Sequence, residues 1–293
     1  MSAPTTPAAD PSVPKERLPR AGCVLAPDGR LGLDVTRIPE DAVDPVLLFV
    51  LRPKKGRPET ETRTVPLTRD DDGAGWHGEL PAGPPLTEGR WDVFVVPAPG
   101  RARLRVLPGL RELRHLAEGG PVPDGSPLAV RLPYATKDAY FAVRAWVRPG
   151  HAEAGDILVD GDGMTAAVRL VGVEAGAGAA ALLRLRGSGS GSGSGSGKDV
   201  PAIEAELRDA GDGTFTFTAP YDRIPPAADG EDEAYWDVFV RPARKAGRVR
   251  VGRLLDDVAD KKPVFVYPPA ILGGMTVQPY YTVDNDLALR VSR

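Results

Sequence analysis

Cysteine and histidine are scarce in this 293-residue chain. Its one cysteine, Cys23, excludes an intrachain disulfide and any zinc site built on a cysteine cluster. The three histidines are His77, His115 and His151, and the closest two stand 36 residues apart. No histidine pair therefore has metal-ligand spacing, and a HExxH helix is absent. No stretch approaches 18 uncharged apolar residues, so no membrane-spanning helix is expected. Charge is nearly balanced, with 37 basic and 40 acidic groups giving a net −3. A nucleic-acid binder would carry a basic excess, so that class is set aside. Aromatic residues make up only 6%.

Glycine and proline, by contrast, number 34 and 31. That mix suits many short strands joined by tight turns better than long helices. Residues 1–20 are rich in proline and alanine without an apolar signal core, and read as a disordered tail. The expected location is cytoplasmic, with peripheral attachment at a membrane as an extension of it.

An internal repeat organises the rest. WDVFVVP begins at Trp91 and WDVFVRP at Trp236, 145 residues on, while PYATKDAYFAVR (from Pro133) and PYYTVDNDLALR (from Pro279) are offset by 146. Earlier segments align at an offset of 134, VLAPDGRLGLDV from Val24 with LVDGDGMTAAVR from Leu158, and Leu51-Arg52 with Leu185-Arg186. The change of offset, 145 − 134 = 11, equals the length of the Gly/Ser tract 187–197. The tract thus reads as a loop inserted inside the second repeat, where long loops cost little closure entropy, and not as an interdomain linker. Domains are expected at 21–150 and 151–293.

Apolar and polar residues alternate in RLGLDV, TFTFTA and RARLRV, the period of half-buried strands. GLRELRHL (109–116) and VGRLLDDVADKK (251–262) read as short helices, one per repeat. LTEGRWDVFV resembles the corner before the penultimate strand of immunoglobulin-like sandwiches. The expected fold is all-β, two tandem immunoglobulin-like antiparallel β-sandwiches, each with a short helix.

The chemistry-bearing candidates are few. Arg101, Arg103 and Arg105 alternate with apolar residues, and Arg248 and Arg250 repeat the pattern. Such a ladder could grip phosphates or carboxylates by bidentate hydrogen bonds; the alternative is a solvated strand face or an edge guarded against aggregation. Trp91 and Trp236 share one position in both repeats and read as core. The unrepeated aromatics Trp76, Trp146, Tyr140 and Tyr281 are candidates to stack on a sugar ring. Asp160/Asp162 and Asp284/Asp286 resemble the metal-holding DxD of glycosyltransferases, but DGDG is also a hairpin signal. GSGSGSGK lacks the glycine spacing of a phosphate-binding loop, and no GxSxG elbow or triad context occurs. No catalytic residue, metal site or cofactor is assigned.

WDVFV with its preceding EGR turn, the paired PYxT segments and the closing strand DLALRV resemble a known family over most of residues 22–293. They are similar to the tandem immunoglobulin-like C-terminal domains of actinobacterial glycosyltransferases of the wall-teichoic-acid (poly-ribitol-phosphate) type. These 293 residues hold no counterpart of that family's amino-terminal catalytic domain. The resemblance implies an accessory role: carbohydrate binding to an anionic cell-wall glycopolymer, or docking to its glycosyltransferase. A small transferase using nucleotide-activated sugars and a structural module for homo-oligomers are the alternatives.

Overall fold

A computed structural model describes residues 9–71, 73–117, 127–187, 201–228 and 230–293. The chain divides into two compact units, the first ending at Val147 and the second holding Arg148–Arg293.

The first unit contains β1 (Arg20–Leu25), β2 (Leu31–Thr36), β3 (Val46–Leu51), β4 (Thr62–Pro66), β5 (Thr68–Arg69) and β6 (Trp76–Leu80). It continues through β7 (Gly89–Val96), β8 (Leu104–Arg105), β9 (Leu107–Glu112), α1 (Arg114–Ala117), β10 (Leu128–Ala135) and β11 (Phe141–Arg148). One sheet runs β5–β6–β2–β1–β9, the other β10–β11–β7–β3–β4 with β8 beside β7. Period-two patterning makes this a sandwich. Leu31, Leu33 and Val35 of β2 share one core with Leu47 and Phe49 of β3 and Trp91, Val93 and Val95 of β7.

The second unit contains β12 (His151–Val159), β13 (Gly163–Val171), β14 (Ala180–Leu185), β15 (Ala202–Glu206), β16 (Arg208–Gly211) and β17 (Thr214–Pro220). It ends with β18 (Glu233–Arg241), β19 (Val249–Gly252), β20 (Ala270–Leu272), β21 (Met275–Tyr281) and β22 (Leu287–Ser292). Strands β16, β17, β13 and β12 stand in the order of β5, β6, β2 and β1, and β22, β18, β14 and β15 in that of β11, β7, β3 and β4. One detail differs. β19 pairs with both β12 and β18 and so joins the two layers, whereas in the first unit that role is divided between β8 on β7 and β9 on β1.

The two expected helices do not form as read. Leu107–Glu112 is strand β9, only Arg114–Ala117 is helical, and Leu110, on the expected apolar side, is 90% exposed. Gly109 explains the choice: a Cβ there would lie 2.8 Å from the Gly22 backbone nitrogen, so the segment can close against β1 as a strand. In 251–262, the first two residues belong to β19 and the rest are turns. Side-chain acceptors take the N–H groups that a helix would use. Glu153 accepts from Leu254 and Leu255, and Asp256 accepts from Val258. The buried Lys261 ammonium closes this loop onto Asp256 and the Val258 carbonyl.

Composition placed residues 9–19 in the tail, yet they pack on the first unit. Leu18 is buried and Val13 lies against Leu18, Leu104 and Leu107. The Gly/Ser loop lies outside the described residues from Ser188 onward, between β14 and β15. No helix among the described residues is long and apolar enough to cross a membrane.

Cys23 faces the first core, and burial pushes its thiol up to about 12. The thiolate is the reactive form. Cys23 is therefore expected to resist a thiol reagent at pH 8 in the folded protein and to react at once in denaturant; rapid labelling without denaturant would contradict its placement.

Candidate functional site

Alternation along β7 and β18 sends Trp91, Val93 and Val95, and Trp236, Val238 and Val240, into the cores. The intervening Asp92 and Phe94, and Asp237 and Phe239, face the other way. Around each outward Asp/Phe pair the structure gathers arginines at matching positions of the two repeats.

In the first unit the Arg103 and Arg105 guanidiniums lie 4.4 and 4.9 Å from the Phe94 ring centre, a double cation–π contact. Arg103 is also held in a bidentate pair by Glu59, at 3.0 Å (Nη1–Oε2) and 2.5 Å (Nη2–Oε1). Arg52 donates to both oxygens of Asp92 at 3.1 and 2.5 Å, and Arg105 lies 3.7 Å from the same carboxylate. The Asp92 hydrogen bond raises the Arg52 guanidinium above its ordinary range.

The second unit rebuilds the arrangement. Arg248 and Arg250 lie 5.1 and 5.0 Å from the Phe239 ring centre. Arg186 donates through Nε to both oxygens of Asp237 at 3.2 and 3.3 Å, and through Nη1 to the Tyr280 hydroxyl at 3.3 Å. Burial alone would lower Arg186, but the hydrogen bond and charge of Asp237 outweigh it and leave the guanidinium raised. Arg250 lies 3.8 Å from Asp237 and 3.6 Å from Asp286.

One partner is not repeated. Arg248, in the place of Arg103, has no carboxylate partner among the described residues. Its guanidinium is pushed below the usual range by burial first, then by the charges of Arg184 and Arg250. Arg248 is exposed, whereas Arg103 is buried.

The remaining sequence candidates separate. Arg101 leaves the ladder and pairs with Asp41 at 2.5 Å, both side chains exposed. Arg103 and Arg105 do share a face, the one formed by Phe94. Trp76 is half-buried on β6 with the Arg69 guanidinium 5.7 Å from its ring centre. Tyr281 and Trp146 are fully buried and offer no face to a sugar ring, so neither serves as a stacking platform; Tyr281 packs edge-on to Phe265. Tyr140 is half-buried beneath Lys15 and Arg105.

The DxD pairs serve other ends. Asp160 accepts from the Asp162 and Gly163 amides at 2.9 and 2.8 Å, closing the hairpin turn. Asp286 is nearly buried between Arg148 at 3.4 Å and Arg250, where cations already stand. Among the described residues no group of three or more His, Cys, Asp or Glu side chains is placed to hold a metal ion.

Sequence reasoning passed over Arg52, Arg186, Asp92, Asp237, Phe94, Phe239 and Glu59. The signal was present for six of them. Leu51-Arg52 aligns with Leu185-Arg186, and WDVFV contains both the aspartate and the phenylalanine.

Fold and site define an all-β protein of two units, each carrying an arginine-clasped phenylalanine on an outer sheet face. No protein-family model matches the chain, and no curated protein matches it. Among solved structures it is similar to S. aureus TarS, at 15% identity and a TM-score of 0.34, over 75% of this chain and 38% of that one. It is also similar to a structure of S. aureus TarS 217–571, at 15% identity and a TM-score of 0.31, over 71% of this chain and 56% of that one. The chain thus spans less than two thirds of either.

Proposed function

We propose that the protein is a non-catalytic binding module that recognises an anionic, phosphate-bearing glycopolymer through the arginine cluster of its second unit. Arg248 and Arg250 would meet the phosphates, beside the Phe239 ring. The observation that carries this is the contrast between Arg103 and Arg248. In the first unit a carboxylate, Glu59, docks bidentately on Arg103. In the second, Arg248 has no such anion among the described residues, and it is depressed first by burial and then by the charges of Arg184 and Arg250. A phosphodiester oxygen pair has the geometry of that carboxylate and would relieve the repulsion. The likeness of the WDVFV and PYxT segments to accessory domains of wall-teichoic-acid glycosyltransferases supports a polymer of this chemical class.

Binding of a purified poly-ribitol-phosphate polymer, followed by calorimetry, is expected to weaken at least about tenfold between roughly 50 and 500 mM NaCl, because exposed charges are screened over that range. Arg248→Ala is expected to weaken it at low salt, and Arg101→Ala to leave it unchanged. Affinity indifferent to salt would remove the arginines from recognition.

A further inference from the structure

The two units differ in what covers the chain just before β8 and β19. In the first, Ala9 and Asp10 meet this edge at an isolated bridge before the chain turns at Pro11 and Ser12. Ala9 bridges Arg103 in parallel register, and the Asp10 amide donates to the Arg103 carbonyl at 3.1 Å. Ala9 packs on the outer cluster of Leu48, Val50, Phe94 and Val96, and Val13 on Leu104. Pro11 and Pro14 follow, and proline's missing N–H keeps the added strand short. Beneath this cover Arg103 and Leu104 are only 8% and 7% exposed.

In the second unit the aligned Arg248 is exposed and Val249 half-buried. Among the described residues no segment supplies the counterpart of the Asp10 amide. A cleft of about 450 Å³ opens there, its lining including Gly150, Val173, Pro242 and Val249 with two charged residues, Arg248 and the exposed Glu174. Val173, Pro242, Gly247 and Val249 align with Pro39, Pro97, Ala102 and Leu104, which line the corresponding cleft beside Asp10 and Val13. The exposed Arg244 and Lys245 add positive charge to the turn leading into this edge.

We propose that the Gly247–Val249 edge docks an extended, acidic, proline-flanked segment of a partner polypeptide, adding it as a short strand in the way that Ala9–Asp10 is added to the first unit. Strand addition draws affinity from main-chain hydrogen bonds and specificity from small pockets for alternate side chains. A small residue followed by Asp and Pro fits both the cleft and the basic turn. This goes beyond polymer recognition, since the bond is made by the Arg248 carbonyl and not by its guanidinium.

The test uses the full chain and a synthetic peptide of residues 5–14, added in trans and followed by amide-resolved NMR. Shifts are expected at Gly247, Arg248, Val249 and Gly150. N-methylation of the Asp10 amide in the peptide should abolish them, and Asp10→Lys in the peptide should weaken binding by up to about fivefold, the upper end for a surface charge pair. Arg248→Ala should weaken polymer binding while leaving the methylation-sensitive peptide shifts in place, so the two readings fail separately. No shift at this edge with peptide in excess would overturn the proposal. So would equal binding of the N-methylated peptide, or shifts confined to Arg103 in the first unit.

Discussion

Replacing Trp91 by alanine is expected to destabilise the first unit by about 3–5 kcal/mol, the usual loss for truncating a fully buried tryptophan. Trp91 is 0% exposed on the inner face of β7, and its indole Nε1 donates to the Thr87 carbonyl at 2.9 Å. Trp236 holds the same place in the second unit at 1% exposure, but its Nε1 has no partner among the described residues. The two differ in what phenylalanine would remove. Trp91→Phe deletes a hydrogen bond along with ring volume, whereas Trp236→Phe deletes a buried donor that is already unsatisfied. Trp91→Phe should therefore be the costlier by about 1 kcal/mol. Urea unfolding of the three variants, followed by tryptophan fluorescence and circular dichroism, supplies the comparison. A loss below about 1 kcal/mol for Trp91→Ala would mean an exposed ring, and would contradict its reading as core.

The second large effect concerns Asp237, and it has opposite signs in stability and in binding. Its carboxylate is held by Arg186 and approached by Arg250, with the Asp237 side chain 11% exposed. Asp237→Asn preserves shape but leaves Arg186 without its counter-charge, while Arg250 keeps Asp286. Solvent reaches Arg186, whose side chain is 41% exposed, so the expected cost is about 1–3 kcal/mol and not that of a sealed ion pair. A double-mutant cycle with Arg186→Ala isolates the pair. The same substitution removes a negative charge beside Arg250, so polymer affinity at low salt should rise while the fold weakens. A variant that is less stable and also binds less would show that the cluster holds the sheet together without contacting an anion.

Much of the fold was legible because strand chemistry is local. The alternation in RLGLDV and TFTFTA predicted β2 and β17. The helices failed for a reason that spacing cannot show. Leu110, Leu113 and Leu116 carry helical spacing, but Gly109 permits a main-chain approach to β1 that a helix would forfeit. In VGRLLDDVADKK the competing acceptor for two amides is Glu153, about a hundred residues away, which no window along the chain contains. Tyr281 was misread because it breaks the repeat, opposite Ala135, and its burial depends on Phe265 and Tyr267 in the loop before β20.

The candidate site was half legible. Alternation gave Arg103, Arg105, Arg248 and Arg250, but a ladder of charges does not reveal which of them are already neutralised. Glu59 lies 44 residues from Arg103 in sequence, and only the fold brings them together. The same holds for Asp92 and Arg52, although WDVFV and the Leu-Arg pairs had marked both as repeated positions. What separates Arg248 from Arg103 is therefore a tertiary property, the lack of a carboxylate partner among the described residues.

An amide-resolved NMR titration of the full chain with a phosphate-containing wall polymer addresses this difference most directly. Arg248, Val249, Arg250 and Phe239 are expected to shift in step, with Arg103 and Phe94 of the first unit unmoved because Glu59 occupies that place. A flat titration with the polymer in excess, or shifts confined to the first unit, would contradict the assignment of anion recognition to Arg248.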